Sequence, residues 1–400
     1  MAKRIGGFIG QDGINAPDPA TDASASGGDT EVTVSFTAPS EVGGASVTEY
    51  RVQSNDGIGA SGSASPITVT GLTNGTSYTF NVWAINPFGW SSPSDATNGV
   101  TPAFAPRGVF AGGLRSSGNR STTMDYITIP STGNATYFGS ISTAYQSAGV
   151  SSGTRGVFAL GYYGVNAIEY ITIMTTGNAV DFGDLTVARQ SLGGASNSTR
   201  GVFAGGYDGS YYNTMDYVTI ASTGNATDYG DLTLARYGVS GSGSSTRGLF
   251  FGGNDVSSGN GTDRIDYITI ASTGNATDFG NLLKRVFNTA SFSSSVYAFA
   301  AGGFEPYDSG QTNTINRVTI ASTGNATEFG DMAETNQWSA GTSSSVRGVM
   351  AGGQVTAFSS STNRIQYVTM ASSGNTTDFG DLTIDGYAMA ACSNGHGGLS

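Results

Sequence analysis

One nine-residue segment occurs six times along the chain at almost constant spacing. The copies read STGNATYFG from Ser131, TTGNAVDFG from Thr175, STGNATDYG from Ser222, STGNATDFG from Ser272, STGNATEFG from Ser322 and SSGNTTDFG from Ser372. A second segment, RGVFAGG in its fullest form, precedes each copy and starts at Arg107, Arg155, Arg200, Arg247, Tyr297 and Arg347. The repeat is therefore 45 to 50 residues long. A period in this range predicts a stack of similar units, each of which buries its apolar faces against its neighbours.

Each repeat contains four short segments with the character of β-strands. In the fourth repeat these are YGVSGSG, RGLFFGG, DYITIAS and ATDFG, which we number as the first to fourth strands. The second and third are apolar or small on both faces, as expected for a sheet that lies between two others. The first repeat lacks a first strand, whereas residues 386–394 at the end of the chain match one. We expect this C-terminal strand to complete the first sheet and close a ring of six.

The second strands end in a double glycine and the fourth strands carry an aromatic residue, and in both respects the repeats resemble kelch repeats. The glycine pairs begin at Gly112, Gly205, Gly252, Gly302 and Gly352, and the aromatic residues are Phe138, Phe182, Tyr229, Phe279, Phe329 and Phe379. Two features depart from that pattern. Kelch repeats usually have Trp in the fourth strand, and the second repeat reads Leu160-Gly161. The resemblance implies a six-bladed kelch-like β-propeller over residues 107–400.

The sequence before the repeats does not share their pattern, and it predicts a small β-sandwich. Alternating strand patterns over residues 15–102 are separated by turn residues at short intervals, as in all-β sandwiches. The segment GLTNGTSYTFNVWAINPFGWSSPS resembles the tyrosine corner and following strand of fibronectin type III domains, through Leu72, Tyr78, Phe80, Val82, Ala84, Asn86 and Gly89. The predicted organisation is an all-β chain with an N-terminal arm at 1–14, a fibronectin type III-like sandwich at 15–102, a linker at 103–106 and the propeller at 107–400.

Charge and composition exclude several classes of function. The chain has 17 basic and 29 acidic residues and a net charge of -12, with no cluster of Lys and Arg, so nucleic acid is not an expected partner. Cys392 is the single cysteine, which rules out an intrachain disulfide. No apolar run has the length of a signal peptide or a membrane span, so we expect synthesis in a cytoplasm without membrane insertion.

The Gly-Asn pair at the centre of the nine-residue segment predicts a tight turn. We expect it to join the third and fourth strands as a two-residue primed turn, with positive φ angles at Gly224 and Asn225 and their counterparts. On this interpretation the segment recurs because the hairpin geometry requires it.

Length variation among the repeats is concentrated in the connection between the second and third strands, which has 11, 7, 9, 12, 12 and 12 residues in chain order. These loops are rich in Tyr, Ser, Gly and Asn, a composition typical of adaptable binding surfaces. We predict a binding face there, joined by the connections from fourth to first strands. Its candidate residues are Tyr162, Tyr163, Tyr207, Tyr211, Tyr212, Tyr237, Phe304, Tyr307 and Trp338. The alternative is a set of solvated loops with a few packed aromatic residues.

An arginine recurs at the start of five of the six second strands. The arginines that open five repeats accompany Asp125, Glu169, Asp216 and Asp266 in the third strands. We expect them to form a structural polar network between neighbouring units. The fifth repeat has Tyr297 and Asn316 at these two positions, as expected if they change together.

The sequence argues against an enzyme. His396 is the only histidine, so a site with several histidine ligands is impossible and a Ser-His-Asp triad would need this terminal residue. No cofactor and no metal site are predicted. Asp208, Asp255 and Asp308 lie in Gly-rich loops that leave Ca²⁺ binding open, but without regular ligand spacing.

A fibronectin-like module fused to Gly- and Ser-rich repeats of the TRGVFAGGY type is similar to virion proteins of tailed bacteriophages, cyanophages included. The resemblance implies a structural virion protein, as a tail fibre, tail appendage or capsid-surface component. Its expected partners are other virion proteins, through the N-terminal arm, and a host-surface glycan or protein, through the propeller. The alternatives are a purely architectural decoration protein and a cellular adhesin, and self-association is left open.

Overall fold

The computed structural model describes residues 14–161, 164–255, 261–306, 310–356 and 360–399. It divides into two compact units, one that ends at Ala105 and one that starts at Pro106. Among the described residues, all regular structure is β-strand apart from a 3-10 turn at Gly397–Leu399. The predicted all-β class is confirmed.

The first unit is a sandwich of two antiparallel sheets. Its strands are β1 (Thr21–Gly27), β2 (Glu31–Thr37), β3 (Glu49–Ser54), β4 (Gly59–Gly62), β5 (Ile67–Thr70), β6 (Phe80–Asn86) and β7 (Gly89–Trp90). One sheet has the order β1-β2-β5 and the other the order β4-β3-β6-β7. The apolar residues of the two sheets form one shared core.

The sequence signature of this sandwich has a direct structural basis. Alternate residues of β6 are buried, which places Phe80, Val82 and Ala84 in the core. The Tyr78 hydroxyl accepts a hydrogen bond from the Thr73 amide at 3.0 Å, and Tyr78 is buried. This side chain ties the turn to the strand that follows, which confirms the predicted tyrosine corner.

Each end of the predicted linker, residues 103–106, is hydrogen-bonded to the unit that adjoins it in sequence. The Ala103 amide donates to the Gly28 carbonyl at 3.0 Å in the first unit. The Pro106 carbonyl accepts from the Ile129 amide at 2.8 Å in the second unit. The two units therefore meet in sequence between Ala105 and Pro106.

The second unit contains thirty strands within its described residues. The first fifteen are β8 (Arg107–Ala111), β9 (Thr123–Thr128), β10 (Thr136–Ser140), β11 (Ala148–Ser151), β12 (Arg155–Ala159), β13 (Ala167–Thr172), β14 (Val180–Asp184), β15 (Gly193–Ser196), β16 (Arg200–Ala204), β17 (Thr214–Thr219), β18 (Thr227–Asp231), β19 (Arg236–Tyr237), β20 (Ser240–Gly243), β21 (Arg247–Phe251) and β22 (Asn254–Asp255). The others are β23 (Arg264–Thr269), β24 (Thr277–Asn281), β25 (Ala290–Ser293), β26 (Tyr297–Ala301), β27 (Phe304–Glu305), β28 (Gly310–Gln311), β29 (Thr314–Thr319), β30 (Thr327–Asp331), β31 (Ala340–Ser343), β32 (Arg347–Ala351), β33 (Gln354–Thr356), β34 (Ser360–Ser361), β35 (Arg364–Thr369), β36 (Thr377–Asp381) and β37 (Ala390–Ser393).

Twenty-four of these strands form six four-stranded antiparallel sheets. In order from first to fourth strand, sheet 1 is β37-β8-β9-β10, sheet 2 is β11-β12-β13-β14, sheet 3 is β15-β16-β17-β18, sheet 4 is β20-β21-β23-β24, sheet 5 is β25-β26-β29-β30 and sheet 6 is β31-β32-β35-β36. The remaining strands pair as the small ribbons β19-β22, β27-β28 and β33-β34.

The C-terminal strand supplies the missing first strand of sheet 1. β37 pairs antiparallel with β8, with Ala390 opposite Ala111 and Ser393 opposite Gly108. β37 also contacts β11 of sheet 2 and β31 of sheet 6. The first strands of the other sheets contact one another in chain order.

Apolar cores lie between successive sheets rather than within one. The core between sheets 2 and 3, for example, combines Val157 and Phe182 with Phe203 and Ile220. Five further cores join the other neighbours, including one that brings Phe110 of sheet 1 against sheet 6. Each sheet is buried on both faces, which explains why its central strands are apolar throughout.

The nine-residue segment is not the tight hairpin turn that the sequence predicts. Seven residues separate β17 from β18, and Asn225 does not have a positive φ angle. Instead, the Gly224 amide donates to the Phe182 carbonyl of the preceding sheet at 2.7 Å, and the Asn225 side chain accepts from the Asp184 amide at 3.1 Å. Each sheet is therefore stapled to the fourth strand of the one before it.

The same staple occurs at all six junctions. The amide of the segment's first glycine donates to the aromatic residue of the preceding fourth strand at 2.7 to 3.0 Å, and the donors are Gly133, Gly177, Gly224, Gly274, Gly324 and Gly374. Gly133 makes this bond to Phe379, so sheet 1 is stapled to sheet 6. The segment recurs because each copy must fit its neighbour.

The connections define two ends of the second unit. The hairpin end carries the turns between first and second strands and the stapled segments. The loop end carries the connections between second and third strands and those from fourth to first strands. Loop-end connections range from 7 residues at 160–166 to 12 at 352–363.

Candidate functional site

Four of the predicted binding residues lie in one continuous aromatic group at the loop end. The rings of Tyr207, Tyr211 and Tyr237 are mutually in contact, with each pair of centroids 5.4 Å apart. Tyr237 continues to Phe287 at 6.1 Å, and Phe287 to Phe304 at 5.2 Å. All five side chains are half-buried. We call these five residues the aromatic ridge.

Backbone pairing holds the ridge in place. Tyr207 forms β-bridges with Gln190 and Tyr211, and Phe304 forms one with Phe287. Tyr237 lies in β19, which pairs with β22. These loops are therefore ordered by main-chain hydrogen bonds before any other molecule contacts the ridge.

Two buried ion pairs lie under the tyrosine end of the ridge. Arg189 contacts Asp216 at 2.9 Å and Arg236 contacts Asp266 at 3.0 Å, and all four side chains are fully buried. Arg189 Nε also donates to the Gly205 carbonyl at 2.8 Å, at the start of the loop that carries Tyr207. The loop is thus anchored to the sheet by charge-assisted contacts with low exposure to solvent.

Two of the other predicted residues make no ring contact with the ridge within the described residues. The Tyr212 hydroxyl donates to Asp208 at 2.8 Å, and this hydrogen bond raises the pKa of Tyr212. Trp338 stacks on Tyr387 at 5.5 Å, and Tyr387 meets Tyr145 edge-on at 6.4 Å. The loop end therefore has a second, separate aromatic group. The predicted residues Tyr162, Tyr163 and Tyr307 lie outside the described residues.

Sequence reasoning missed Phe287, Tyr387 and Tyr145. All three lie in connections from fourth to first strands, three residues before the next first strand. The same position holds Tyr237, which was selected. Aligning the repeats on this position, rather than on the loops of variable length, identifies all four.

A cycle of six backbone hydrogen bonds surrounds the start of the first strands. One residue from each connection donates its amide to the carbonyl of the previous one at 2.8 to 3.0 Å, and these residues are Gln146, Ser191, Gly238, Asn288, Trp338 and Ala388. All six have positive φ, between 54° and 67°, although Gly238 is the only glycine. The cycle is complete because Gln146 donates to Ala388. We call these residues the mouth ring.

The mouth ring borders a cavity of about 110 Å³ between the first strands. Towards the hairpin end the cavity narrows at a set of small residues, Gly149, Gly194, Gly241, Ser291, Gly341 and Ala391. A side chain at Gly149 would collide with the Ala391 carbonyl of the adjacent strand. Close approach of these strands therefore requires glycine there.

The hairpin end repeats a different arrangement of side chains. In five sheets the first arginine of the second strand stacks on the third-strand tyrosine, with 4.1 to 4.6 Å from Cζ to the ring centroid. The same arginine donates to a carbonyl of the next sheet at 2.8 to 3.1 Å, as Arg155 does to Ile220 and Arg347 to Ile129. In sheet 5 the roles are exchanged, and Arg317 lies over Tyr297 at 5.0 Å.

These contacts correct the predicted arginine network. Each of these arginines stacks on a tyrosine of its own sheet and reaches the next sheet through a backbone carbonyl, and not through the third-strand acids. Three of these acids accept hydrogen bonds from threonines of the preceding connection, as Asp125 does from Thr383 Oγ1 at 2.7 Å and Asp216 from Thr186 Oγ1 at 2.6 Å. The fourth, Glu169, accepts from the Ser142 amide at 3.0 Å. Burial raises the pKa of Asp125.

The C-terminal residues cover the cavity between the first strands at the hairpin end. His396 Nδ1 accepts from the Gly398 amide at 3.1 Å, so Nε2 carries the proton and donates to the Ser151 carbonyl at 3.0 Å. A side chain at Gly398 would collide with the Ser196 carbonyl. Burial lowers the pKa of His396 to about 4. The single histidine therefore has a structural role as a neutral donor.

In the described part of the chain, no group of three or more His, Cys, Asp or Glu side chains lies close enough to hold a metal ion. No helix within the described ranges is long and apolar enough to span a membrane.

Comparison with known families identifies one region. Residues 17–100 match the fibronectin type III domain, with boundaries close to those of the sandwich. A comparison of the chain with curated proteins found no match. The chain thus contains a fibronectin type III domain over residues 17–100.

Proposed function

We propose that residues 107–400 form a six-bladed kelch-like β-propeller whose loop end binds a surface ligand, and that the chain is a structural virion protein that contacts its host. The six sheets would be the blades, and the aromatic ridge would be the centre of the binding face. The ridge is the single observation that carries the binding role.

The propeller proposal is supported by three features that join sheet 6 to sheet 1 as they join every other pair. These are an apolar core, the staple from Gly133 to Phe379 and the mouth-ring bond from Gln146 to Ala388. The C-terminal strand β37 adds a fourth link, since it lies in sheet 1 and contacts sheet 6. A linear stack would leave the outer faces of sheets 1 and 6 exposed.

The binding proposal is supported by the chemistry of the ridge. Half-buried tyrosines offer flat apolar faces together with hydroxyls, which suits the alternating apolar and polar faces of a sugar ring or an exposed protein loop. The net charge of -12 disfavours a strongly anionic ligand. A neutral glycan or a protein surface is therefore the proposed ligand class.

The virion role rests on the sequence resemblance. A disulfide-free acidic protein made of rigid β-sheets suits assembly in a cytoplasm and later use outside the cell. In this proposal the fibronectin type III domain is a spacer, and residues 1–14 dock to other virion proteins. Of that arm only residue 14 is described.

The binding role is tested by substitution at the ridge. The triple variant Tyr207→Ala, Tyr211→Ala, Tyr237→Ala removes three mutually contacting rings and is expected to lower adsorption to host cells, or binding on a neutral-glycan array, at least tenfold. Tyr137→Ala is the matched control, because Tyr137 is 54% exposed on the fourth strand of sheet 1. Its binding should equal that of the wild type.

Unchanged adsorption of a folded triple variant would contradict the binding role and favour architectural decoration. Mass spectrometry of purified virions tests the virion role separately, since absence of the chain from virions would favour the cellular adhesin instead.

A further inference from the structure

The two tryptophans of the first unit lie outside its core, on the outer face of the sheet β4-β3-β6-β7. Residues of β6 alternate between buried and partly exposed, so Trp83 and Ile85 point away from the core that contains Val82. Trp90 of β7 pairs with Ile85 and lies on the same face, where it is 55% exposed. We call Trp83, Ile85 and Trp90 the tryptophan face.

The tryptophan face has the composition of a contact surface. Adjacent large apolar side chains on a sheet surface are favourable when a second surface covers them. Trp is also the side chain most typical of interface centres, because its large ring buries much area with few rotatable bonds.

Further exposed apolar residues lie at the end of β6, next to this face. Asn86 Nδ2 donates to the carbonyls of Asn15 at 2.9 Å and Val42 at 2.8 Å, and Asn86 Oδ1 accepts from the Phe88 amide at 2.9 Å. Asn86 thus holds three segments together. Val42 and Phe88 are 37% and 45% exposed, as is Ile14 at 37%.

The surface around the tryptophan face is acidic. The described residues of the first unit include eight Asp and Glu but a single basic residue, Arg51. Glu49 pairs with Ile85 on the face, and the Asp18 amide donates to the Glu41 carbonyl at 3.0 Å beside Val42 in sequence. These three acidic residues are exposed. A second copy would bring like charges together, so the charge favours a partner that is basic as well as apolar.

The segment before Ile14 has this complementary chemistry. It reads MAKRIGGFIGQDG and contains two of the three basic residues of the first unit. Its basic and large apolar side chains, apart from Met1, are Lys3, Arg4, Ile5, Phe8 and Ile9. Residues 1–13 lie outside the described residues.

The segment is long enough to reach the face. Residues 3–9 are five to eleven positions before Ile14, a reach of up to about 16 to 40 Å. Trp83 is three residues from Asn86, or about 10 Å along β6. Because the segment is joined to the chain beside the face, its effective concentration there is of millimolar order, and a weak contact is enough.

We propose that residues 3–9 bind the tryptophan face of their own chain, with the apolar side chains on the tryptophan rings and Lys3 and Arg4 near the flanking carboxylates. This contact goes beyond the proposed virion role and does not depend on it. Its consequence is competition, since a partner that binds the same residues must first release them from the face.

The test uses the indole N–H signals of the full chain in ¹H–¹⁵N spectra. The chain has three tryptophans, and Trp338 lies in the second unit as an internal reference. Removing residues 1–13 is expected to shift the signals of Trp83 and Trp90 and leave that of Trp338 in place. A peptide of residues 1–13, added to the shortened chain at about 0.01 to 2 mM, should saturably return both signals towards their positions in the full chain.

Variants assign the contact. Trp90→Ser in the shortened chain is expected to weaken the peptide's affinity about tenfold, read from the Trp83 signal. Phe104→Ser is the matched control, because Phe104 is also exposed, at 48%, but lies outside the sheet that carries the face, and it should leave the affinity unchanged. Phe8→Ser in the full chain should move the Trp83 and Trp90 signals towards those of the shortened chain.

Charge is tested with salt and with peptide order. Raising NaCl from about 0.05 to 0.5 M should weaken the peptide's affinity at least twofold, since exposed charges are screened. A peptide with the same residues in scrambled order should bind at least fivefold more weakly.

Trp83 and Trp90 signals that are the same with and without residues 1–13 would overturn the proposal. Equal affinity of the scrambled peptide would also overturn it, because the face would then attract any basic apolar peptide. Shifts that grow with protein concentration, together with a dimer in sedimentation velocity, would assign the face to a second copy instead. Absence of the chain from virions would leave this contact unaffected and would contradict only the virion role.

Discussion

The hairpin end and the loop end of the second unit belong to the same six sheets but differ in how regularly their side-chain contacts repeat. At the hairpin end, the staple is repeated at all six junctions, and a stacked arginine and tyrosine recur in every sheet. At the loop end, the aromatic ridge belongs to sheets 3 to 5 and the buried ion pairs to sheets 3 and 4. The contacts are therefore repeated where each sheet packs against the next. They differ from sheet to sheet in the loops that face outward. Five experiments test this difference.

The largest loss of stability is expected from deleting the C-terminal segment, which contributes residues to both the loop end and the hairpin end. Deletion of 386–400 removes β37, the Ala388 member of the mouth ring and His396. It exposes buried side chains of β8 such as Val109 and Phe110, each worth about 1.5 to 3 kcal/mol. We expect loss of cooperative unfolding of the second unit in calorimetry. Adding a peptide of residues 386–400 should restore it, and an unchanged melting profile of the deletion variant would show that β37 is not needed to hold sheets 1 and 6 together.

Next comes the ion pair that supports the ridge. Arg189→Met leaves Asp216 buried without its charged partner and is expected to lower the free energy of unfolding by about 3 to 5 kcal/mol. Arg264→Met is the control, since its pair with Asp278 is long at 3.5 Å and largely exposed. Chemical denaturation measures both. Equal losses would mean that the loop end lacks a specially anchored region.

The pH dependence of stability tests the role of His396, which lies among the C-terminal residues at the hairpin end. His396 has a pKa of about 4 in the folded protein, below the value of 6.5 for an exposed histidine. The unfolded chain therefore binds a proton that the native chain does not, so the stability from this group is present above pH 6.5 and is lost as pH falls towards 4. The loss amounts to about 3 kcal/mol. His396→Gln should flatten the urea midpoint between pH 7 and pH 4 relative to wild type, and parallel curves would exclude His396 as the cause.

Two glycines with positive φ separate backbone strain from close packing. A side chain at Gly183, in the fourth strand of sheet 2, would collide with the Gly224 carbonyl in the stapled segment of the next sheet. Gly209 at the loop end has φ 118° and nothing within 4 Å of such a side chain. Gly183→Ala is expected to cost about 2 to 3 kcal/mol and Gly209→Ala about 1 kcal/mol, by thermal unfolding. Similar values for both would show that the staple tolerates displacement.

The smallest effect is expected at the exchanged pair of sheet 5. Tyr297→Arg alone places two arginines together, and Arg317→Tyr alone removes the cation, whereas the double variant restores the order found in the other sheets. The double-mutant cycle should give a coupling of about 1 kcal/mol. A coupling near zero would mean that the stacked pair contributes only to packing.

Local sequence patterns were sufficient to predict the features that depend on one strand or one turn alone. Alternation over Phe80–Asn86, the tyrosine corner at Tyr78 and the six second strands are readable from the sequence, because each depends on nearest neighbours along the chain. The C-terminal strand was also predictable, because the sequence of residues 386–394 matches the first strand that the first repeat lacks.

The nine-residue segment shows where such reasoning fails. Gly-Asn is favoured in a primed turn, but here Gly224, with φ 151°, donates its amide to the preceding sheet and the Asn225 side chain accepts from an amide of that sheet. The two uses have the same local signature. Only the partner strand distinguishes them.

The sequence by itself determined the all-β class, the fibronectin type III domain and the period of the repeat, because these depend on composition, alternation and spacing. Tertiary structure decided which aromatic residues meet, that Trp338 stacks on Tyr387, and that six mostly non-glycine residues adopt positive φ in one hydrogen-bonded cycle. The physical reason is that these features arise between sheets far apart along the chain, where geometry follows from packing and not from local preference.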